Sequence, residues 1–398
     1  MPSATPTILV TGSSGHLGKA LMLALPSYGY QAVGIDILPN STTTEVGSIA
    51  DRSFVKDVLA RHQPEHVIHA AALHKPHVGT HSLAEFVRVN CEGTAVLLEE
   101  VVETRKKVLV GTRSVKTVIY ISTTSTFGHA LAPPPGQPAA LITESVAPQP
   151  KNIYGVTKTA AEDLCKLVHD KTGLPVIVLR TSRFFPEEDD AKEVLLQQQS
   201  SRAAAGLDGK VKGHGHSDDD GRIMMDGDNL KVLELAYRRV DLADLVGACV
   251  CAVRKAEEVG WGKYVLSAPS PFLRLGNQQG GGDEDGDDDR GEAENKVLAA
   301  LGRGEVAQVC ELVVPGIEEV FARKGWTFLK RIDRVYDSRR AQRELGWQAE
   351  YTFARAVEKV AKGEEWRSEL ALKVGELGYH AVPTGVYTKR AREDVVSA

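Results

Sequence analysis

A chain of 398 residues with 42% hydrophobic content holds enough apolar side chain for one large core or two fused ones. The formal net charge is −5, and residues 283–294 alone contribute about −7, so the remainder offers no basic face of the kind a nucleic-acid surface needs. The five cysteines (Cys91, Cys165, Cys249, Cys251, Cys310) lack framework spacing, no apolar run reaches membrane-spanning length, and residues 1–6 have no leader pattern, so the expectation is a soluble cytoplasmic protein without metal, membrane or nucleic-acid partner.

The first predicted element is the buried strand Thr7-Ile8-Leu9-Val10, which runs into Thr11-Gly12-Ser13-Ser14-Gly15-His16-Leu17-Gly18 and a helical segment from Lys19 to Leu25. Strand, glycine turn and helix start in that order suit a phosphate-bearing ligand, because N–H groups and the helix dipole at a helix N-terminus attract an anion. Gly12 lets the chain turn, Gly15 lets the backbone approach a pyrophosphate, and Gly18 lets the helix pack near the strand. The spacing is G-x-x-G-x-x-G rather than G-x-G-x-x-G, so the strand-before, helix-after context carries the dinucleotide reading. A second strand, Gln31 to Asp36, ends in an acid eighteen positions after Gly18. Such a carboxylate accepts hydrogen bonds from an adenosine ribose and repels a 2′-phosphate. Ile37 and Leu38 supply no cation to offset it, which favours NAD over NADP.

Beyond a polar loop (Pro39 to Glu45) and Val46-Gly47-Ser48-Ile49, Asp51-Arg52-Ser53 opens a helix over 54–61. Strands follow at 65–70, 117–122 and 175–179, separated by helical patterns at 83–104 and 152–172. This alternation predicts an α/β fold, a Rossmann-type doubly wound parallel sheet with the ligand at the carboxyl ends of its strands. Regularity is then lost. Ala203 to Arg222 and Gly276 to Glu294 are low-complexity stretches that read as flexible insertions, and His214, His216 and Asp218 read as a polar loop rather than a metal site. Tyr237 to Val240 resembles a strand, Asp241 a helix cap for 242–253, and Asp337-Ser338 a cap for a helix over 339–345 stopped by Gly346. The division expected is a dinucleotide-binding domain over 1–185, to which 226–268 returns, and a smaller, discontinuous C-terminal substrate domain from 186–225 and 269–398.

Tyr154 and Lys158 are spaced i,i+4, on one face of the predicted helix. A free phenol titrates near 10, too high for a base at neutral pH, but an adjacent ammonium and an oxidised nicotinamide both favour phenolate. Tyr154 then serves to take or return the proton of a reacting hydroxyl, and Lys158 to support it and hold a ribose. The hydroxyl-rich run Ser122 to Thr126 offers a third group to hydrogen-bond the reacting oxygen. A lone Tyr-x-x-x-Lys is common on solvated helices, so its position downstream of the glycine loop carries the reading.

Taken in order, 10–18, His69-Ala70-Ala71-Ala72, Asn90 to Thr94, 121–128, Tyr154 to Lys158, Tyr336-Asp337-Ser338 and Glu344 to Trp347 resemble the extended short-chain dehydrogenase/reductase family, in its NAD-dependent epimerase/dehydratase branch. The resemblance covers roughly residues 6 to 355, the two insertions excepted. It implies that Thr123, Tyr154 and Lys158 are catalytic and that NAD is held by Gly12, Ser14, Gly15, His16, Leu17, Gly18, Asp36, Ser48, Ile49, Ala70, Ala71, Ala72, Asn90, Tyr154 and Lys158. Three departures stand out. Ser48 replaces an adenine-reading Asp, Thr124 and Ser125 replace the Asp-Glu pair of dehydratases, and 180–186 lacks an Asn common to the family. The implied function is an NAD-dependent epimerase or dehydrogenase of a sugar-like alcohol, with a nucleotide sugar among the candidate substrates and a homodimer as the assembly. The alternatives are a reductase of a small ketone or aldehyde and a non-catalytic dinucleotide sensor.

Overall fold

Alternating side chains on buried strands must find apolar partners on both sides of a sheet, and the first strand already shows this. In β1 (Thr7–Thr11) every residue is buried; Ile8 and Val10 belong to one apolar cluster and Leu9 to another. The structure, a computed structural model, describes residues 5–107, 113–134, 136–185, 225–273 and 287–377. After β1 come α1 (His16–Ala24), β2 (Gln31–Asp36), β3 (Glu45–Val46), α2 (Arg52–His62) and β4 (His66–His69). The chain continues through α3 (Leu83–Phe86), α4 (Gly93–Lys106), β5 (Thr117–Thr123), β6 (Ala140–Ile142), α5 (Ile153–Thr172) and β7 (Val176–Thr181). Next are α6 (Gly227–Leu235), α7 (Leu242–Val259), β8 (Trp261–Leu266), α8 (Asp287–Arg303) and, further on, β9 (Arg334–Tyr336).

Seven strands form one parallel sheet in the order β3-β2-β1-β4-β5-β7-β8, so the Rossmann-type expectation holds. Helices α1 and α7 cover the face bearing Ile8, Ile119 and Leu179, while α2, α4 and α5 cover the face bearing Leu9, Val118 and Val178. Strand order reverses between β1 and β4, and that switch point opens a crevice at the carboxyl ends of the strands. Outside this sheet, β6 pairs with β9 in parallel, beside a second apolar core built from α6, the second half of α8 and residues 306–366.

Several local expectations are corrected. The helix expected over 83–104 is divided by a π-helical turn, Val87–Glu92, between α3 and α4. Tyr237 to Val240 is not a strand: a turn follows α6, and Arg239 makes a single bridge to Arg183. Arg238 and Arg239 instead turn back on buried Glu234 at the end of α6 (2.6 and 2.9 Å), and that ion pairing overrides the strand-like pattern. The acid-rich stretch to Glu294 is helical from Asp287, because α8 is anchored by buried Leu298 and Leu301 and by Glu294 pairing with Arg339 at 2.6 Å. The stretch over 203–222, with His214, His216 and Asp218, lies outside the described residues, as does 276–286. Asp241 does cap α7 through Ala243 N, and Gly346 closes the helix over Arg339–Leu345 with φ +68°. Among the described residues no helix is long and apolar enough to cross a membrane.

Near the carboxyl ends of β5 and β7, fully buried Glu162 of α5 accepts from Ser122 Oγ (2.6 Å) and from Arg180 Nη2 (2.7 Å), and pairs with Lys263 (3.0 Å). Burial pushes this carboxyl up, but Arg180 and Lys263 outweigh it and hold the group below its ordinary value. Glu162→Ala leaves the buried Arg180 guanidinium without its anion, and is expected to cost about 3–5 kcal/mol in urea unfolding, far more than an exposed ion-pair deletion.

Candidate active site

Backbone contact shapes the cofactor end of the crevice. Gly12 has φ +76°, and a Cβ there would lie 2.7 Å from Ala71 N. At Gly18 a Cβ would lie 1.9 Å from Gly12 O, so α1 approaches the loop as closely as bare backbone allows. Asp36 is fixed by two backbone donors, Ser14 N (3.0 Å) and Leu38 N (2.9 Å). The switch point is stitched by His69, whose Nδ1 lies 2.7 Å from Thr11 Oγ1 and whose Nε2 lies 3.0 Å from Thr94 Oγ1. Thr94 donates its own proton to Asn90 O, so Nε2 is the nitrogen that carries hydrogen. Burial and the Lys158 charge push His69 down to about 3, which keeps it neutral.

A cavity of about 520 Å³ follows the strand ends from this loop to the second core. Its lining includes Gly12, Ser14, Gly15, His16, Leu17, Gly18, Asp36, Ser48, Ile49, Ala70, Ala71, Ala72, Thr123, Tyr154 and Lys158, so all but one of the expected positions meet in one space. The exception is Asn90, which is buried and does not line the cavity. Its amide clamps Leu73 through both N and O (2.8 Å each) and reaches Thr157 Oγ1 (3.0 Å). The wide π turn sets Asn90 in place as a brace for the loop after β4.

Tyr154 and Lys158 sit on the first turns of α5, whose N-cap Asn152 accepts from Gly155 N (3.0 Å). Tyr154 and Thr123, the latter at the end of β5, line the same cavity. Burial pushes the phenol up to about 12 against the opposing pull of the Thr123 hydroxyl, and pushes the Lys158 ammonium down to about 7. A phenol and a lysine displaced in opposite directions within one cavity are poised to exchange proton affinity when charge arrives.

Other residues at the site lay outside the sequence reading. His74, Lys75 and His77 line the cavity from the loop after β4, and the ring of Phe185 stacks on His74 with centroids 5.7 Å apart. Arg183, Arg238 and Arg334 line the end nearest the second core. Burial pushes Glu234 up, but Arg238, Arg183 and Arg239 outweigh it and bring its carboxyl down to about 2. The replacement of the family's Asn-containing stretch by 180–186 was the one signal in the sequence that pointed here.

The reversed parallel sheet, the glycine cradle that a Cβ would fill, and the Thr123–Tyr154–Lys158 cluster define a dinucleotide-binding protein of the Rossmann class. The chain belongs to the NAD dependent epimerase/dehydratase family, whose model matches residues 8–265. A UDP-glucose 4-epimerase of Rhizobium meliloti (strain 1021) is 31% identical over 180 residues, 44% of this chain and 50% of that protein. A dTDP-glucose 4,6-dehydratase of Xanthomonas campestris pv. campestris (strain B100) is 27% identical over 201 residues, 46% of this chain and 56% of that protein. The chain thus spans about half the length of the curated relatives it matches. Among solved structures, the UDP-glucose 4-epimerase of Thermotoga maritima with UDP-glucose is similar in fold, at TM-score 0.52 and 20% identity over 89% of this chain and 97% of the other. That of Thermus thermophilus with NAD gives 0.51 and 19% over 89% and 98%.

The cofactor of this family is NAD, and the glycine cradle and Asp36 fit it. Lys158 also makes the cofactor-free protein pH-sensitive. Its folded value lies below the ordinary lysine value of 10.5, so between about 7 and 10.5 the unfolded chain binds more protons and stability rises with pH. The cost of burying the ammonium is therefore full below pH 7. Lys158→Met is expected to raise the thermal midpoint by a few degrees at pH 6 and to lose that advantage above pH 10, as calorimetry would show.

Proposed function

We propose that the protein catalyses reversible oxidation of a secondary alcohol on a sugar-like substrate, with epimerisation of that carbon as the net reaction and nucleotide sugars as the first substrates to try. The observation that carries this reading is the meeting of Thr123, Tyr154 and, one turn along α5, Lys158 in the same cavity as the glycine loop. In this reading Gly12, Gly15 and Gly18 cradle the pyrophosphate, Asp36 takes the adenosine ribose, Ser48, Ile49 and Ala70 to Ala72 flank the adenosine side, and Lys158 holds the nicotinamide ribose. When bound, the nicotinamide supplies a hydride acceptor that returns the same hydride.

Tyr154 accepts the hydroxyl proton as the C–H bond breaks, and gives it back when the carbonyl is reduced. Positive charge from Lys158 and the oxidised ring brings the phenol down from about 12 toward neutrality. Thr123 donates to the reacting oxygen as negative charge develops on it. Elimination of water needs a further acid–base pair, and the only carboxylate among the described cavity-lining residues is Asp36, which is held at the β2 end. This supports epimerisation or net oxidation over dehydration.

Tyr154→Phe is expected to lower turnover by about 10³-fold while changing NAD affinity less than about twofold, measured by nicotinamide absorbance, an epimerisation assay on sugar nucleotides, and calorimetric titration. Turnover that survives the substitution removes Tyr154 from the mechanism. Retention of NAD through purification favours epimerisation, and free exchange favours net redox.

For assembly we infer a homodimer through α4 and α5. A groove between them is lined by Ala95, Leu98, Val102, Leu164 and Val168, and Leu167 beside it is 47% exposed. An apolar groove flanked by an exposed leucine suits a self-complementary two-fold contact. Leu167→Glu is expected to convert a sedimenting dimer to monomer; an unmodified chain that sediments as monomer refutes the pairing.

A further inference from the structure

The mechanism needs Lys158 to be cationic, yet the residue is only 2% exposed and, among the described residues, no carboxylate lies within ion-pair distance of it. Glu162, one turn further along α5, is already shared by Ser122, Arg180 and Lys263. Buried Cys165 on the same helix and half-buried Cys91 in the π turn lie near the ammonium as thiols, both pushed up by burial and so uncharged at neutral pH. His69 of β4 is neutral and spends both ring nitrogens on Thr11 and Thr94. Tyr154 itself is a phenol until it gives up its proton.

One group remains. Tyr120 of β5 is 1% exposed, and the Lys158 ammonium lies 4.0 Å from the centroid of its ring. A ring face carries negative quadrupole density and attracts a cation within about 6 Å, most strongly where water is excluded. The phenol oxygen of Tyr120 is buried and makes no hydrogen bond, so the hydroxyl is not what the position uses.

We propose that Tyr120 is a positioning residue: its ring face seats the buried Lys158 ammonium and keeps it protonated, one helical turn from Tyr154. This rests on the Tyr154/Lys158 reading above but assigns a role to a residue outside the family's Thr, Tyr and Lys. The ring does through its quadrupole what a counter-ion does at a surface. A carboxylate in its place would cancel the positive field that Tyr154 depends on, whereas a ring supports the cation and leaves its full charge.

The test reads the lysine directly and needs no substrate. In full-length protein carrying ¹³C-labelled lysine, the Cε resonance of Lys158, identified by its loss in Lys158→Met, is followed against pH. Tyr120→Leu is expected to lower the midpoint by about one pH unit, a tenfold loss of proton affinity, while Tyr120→Phe leaves it in place. Should Tyr120→Leu fail to fold, phenylalanines bearing one, two and three ring fluorines at position 120 keep the shape while draining the quadrupole, and the midpoint should fall stepwise. A midpoint that is the same in Tyr120→Leu as in Tyr120→Phe, or flat across the fluorinated series, overturns the proposal. A packing role alone would not follow fluorine count. If Tyr154→Phe keeps its turnover, the catalytic reading fails while the lysine titration still answers for Tyr120.

Discussion

The contact on which the rest depends is backbone against backbone at the start of the chain. Gly18 meets Gly12, and Gly12 meets Ala71, at separations that leave no room for a Cβ. These contacts draw α1, the β1 loop and the β4 loop to one point, at the switch in strand order where a crevice must open. His69 then secures the point from beneath by joining Thr11 to Thr94 with a neutral ring. Asp36 is held at the rim by two backbone donors, so its orientation is set before any ligand arrives.

At the other end of the crevice the same economy of charge recurs in a different form. The sheet end carries an ion-paired cluster around Glu162, while Lys158 stands over an aromatic ring with no carboxylate within ion-pair distance among the described residues. Burial displaces the phenol upward and the ammonium downward, so two groups that share the cavity stand away from their ordinary values in opposite directions.

Much of this architecture was legible in the sequence, where local signals were strong and redundant. Thr7 to Val10, the glycine run and Lys19 to Leu25 announced strand, turn and helix, and the positions of Tyr154 and Lys158 on one helical face followed from spacing alone. What escaped the reading depends on partners distant in the chain. The π turn at Val87–Glu92 leaves no mark on apolar periodicity, and with it the clamp that Asn90 places on Leu73 stayed out of sight. Tyr237 to Val240 looked like a strand until Glu234 claimed its two arginines. Tyr120 read only as an alternating strand residue, since its meeting with Lys158 joins elements 38 positions apart.

Glu234 has a mechanical consequence. It lies on α6, which packs in the second core, yet it grips Arg183 just beyond the end of β7 as well as Arg239 before α7. Parting such buried ions costs several kcal/mol, more than a gentle rocking of one lobe on another normally has to spare. Any displacement of the second core would therefore carry the Arg183 wall of the crevice with it.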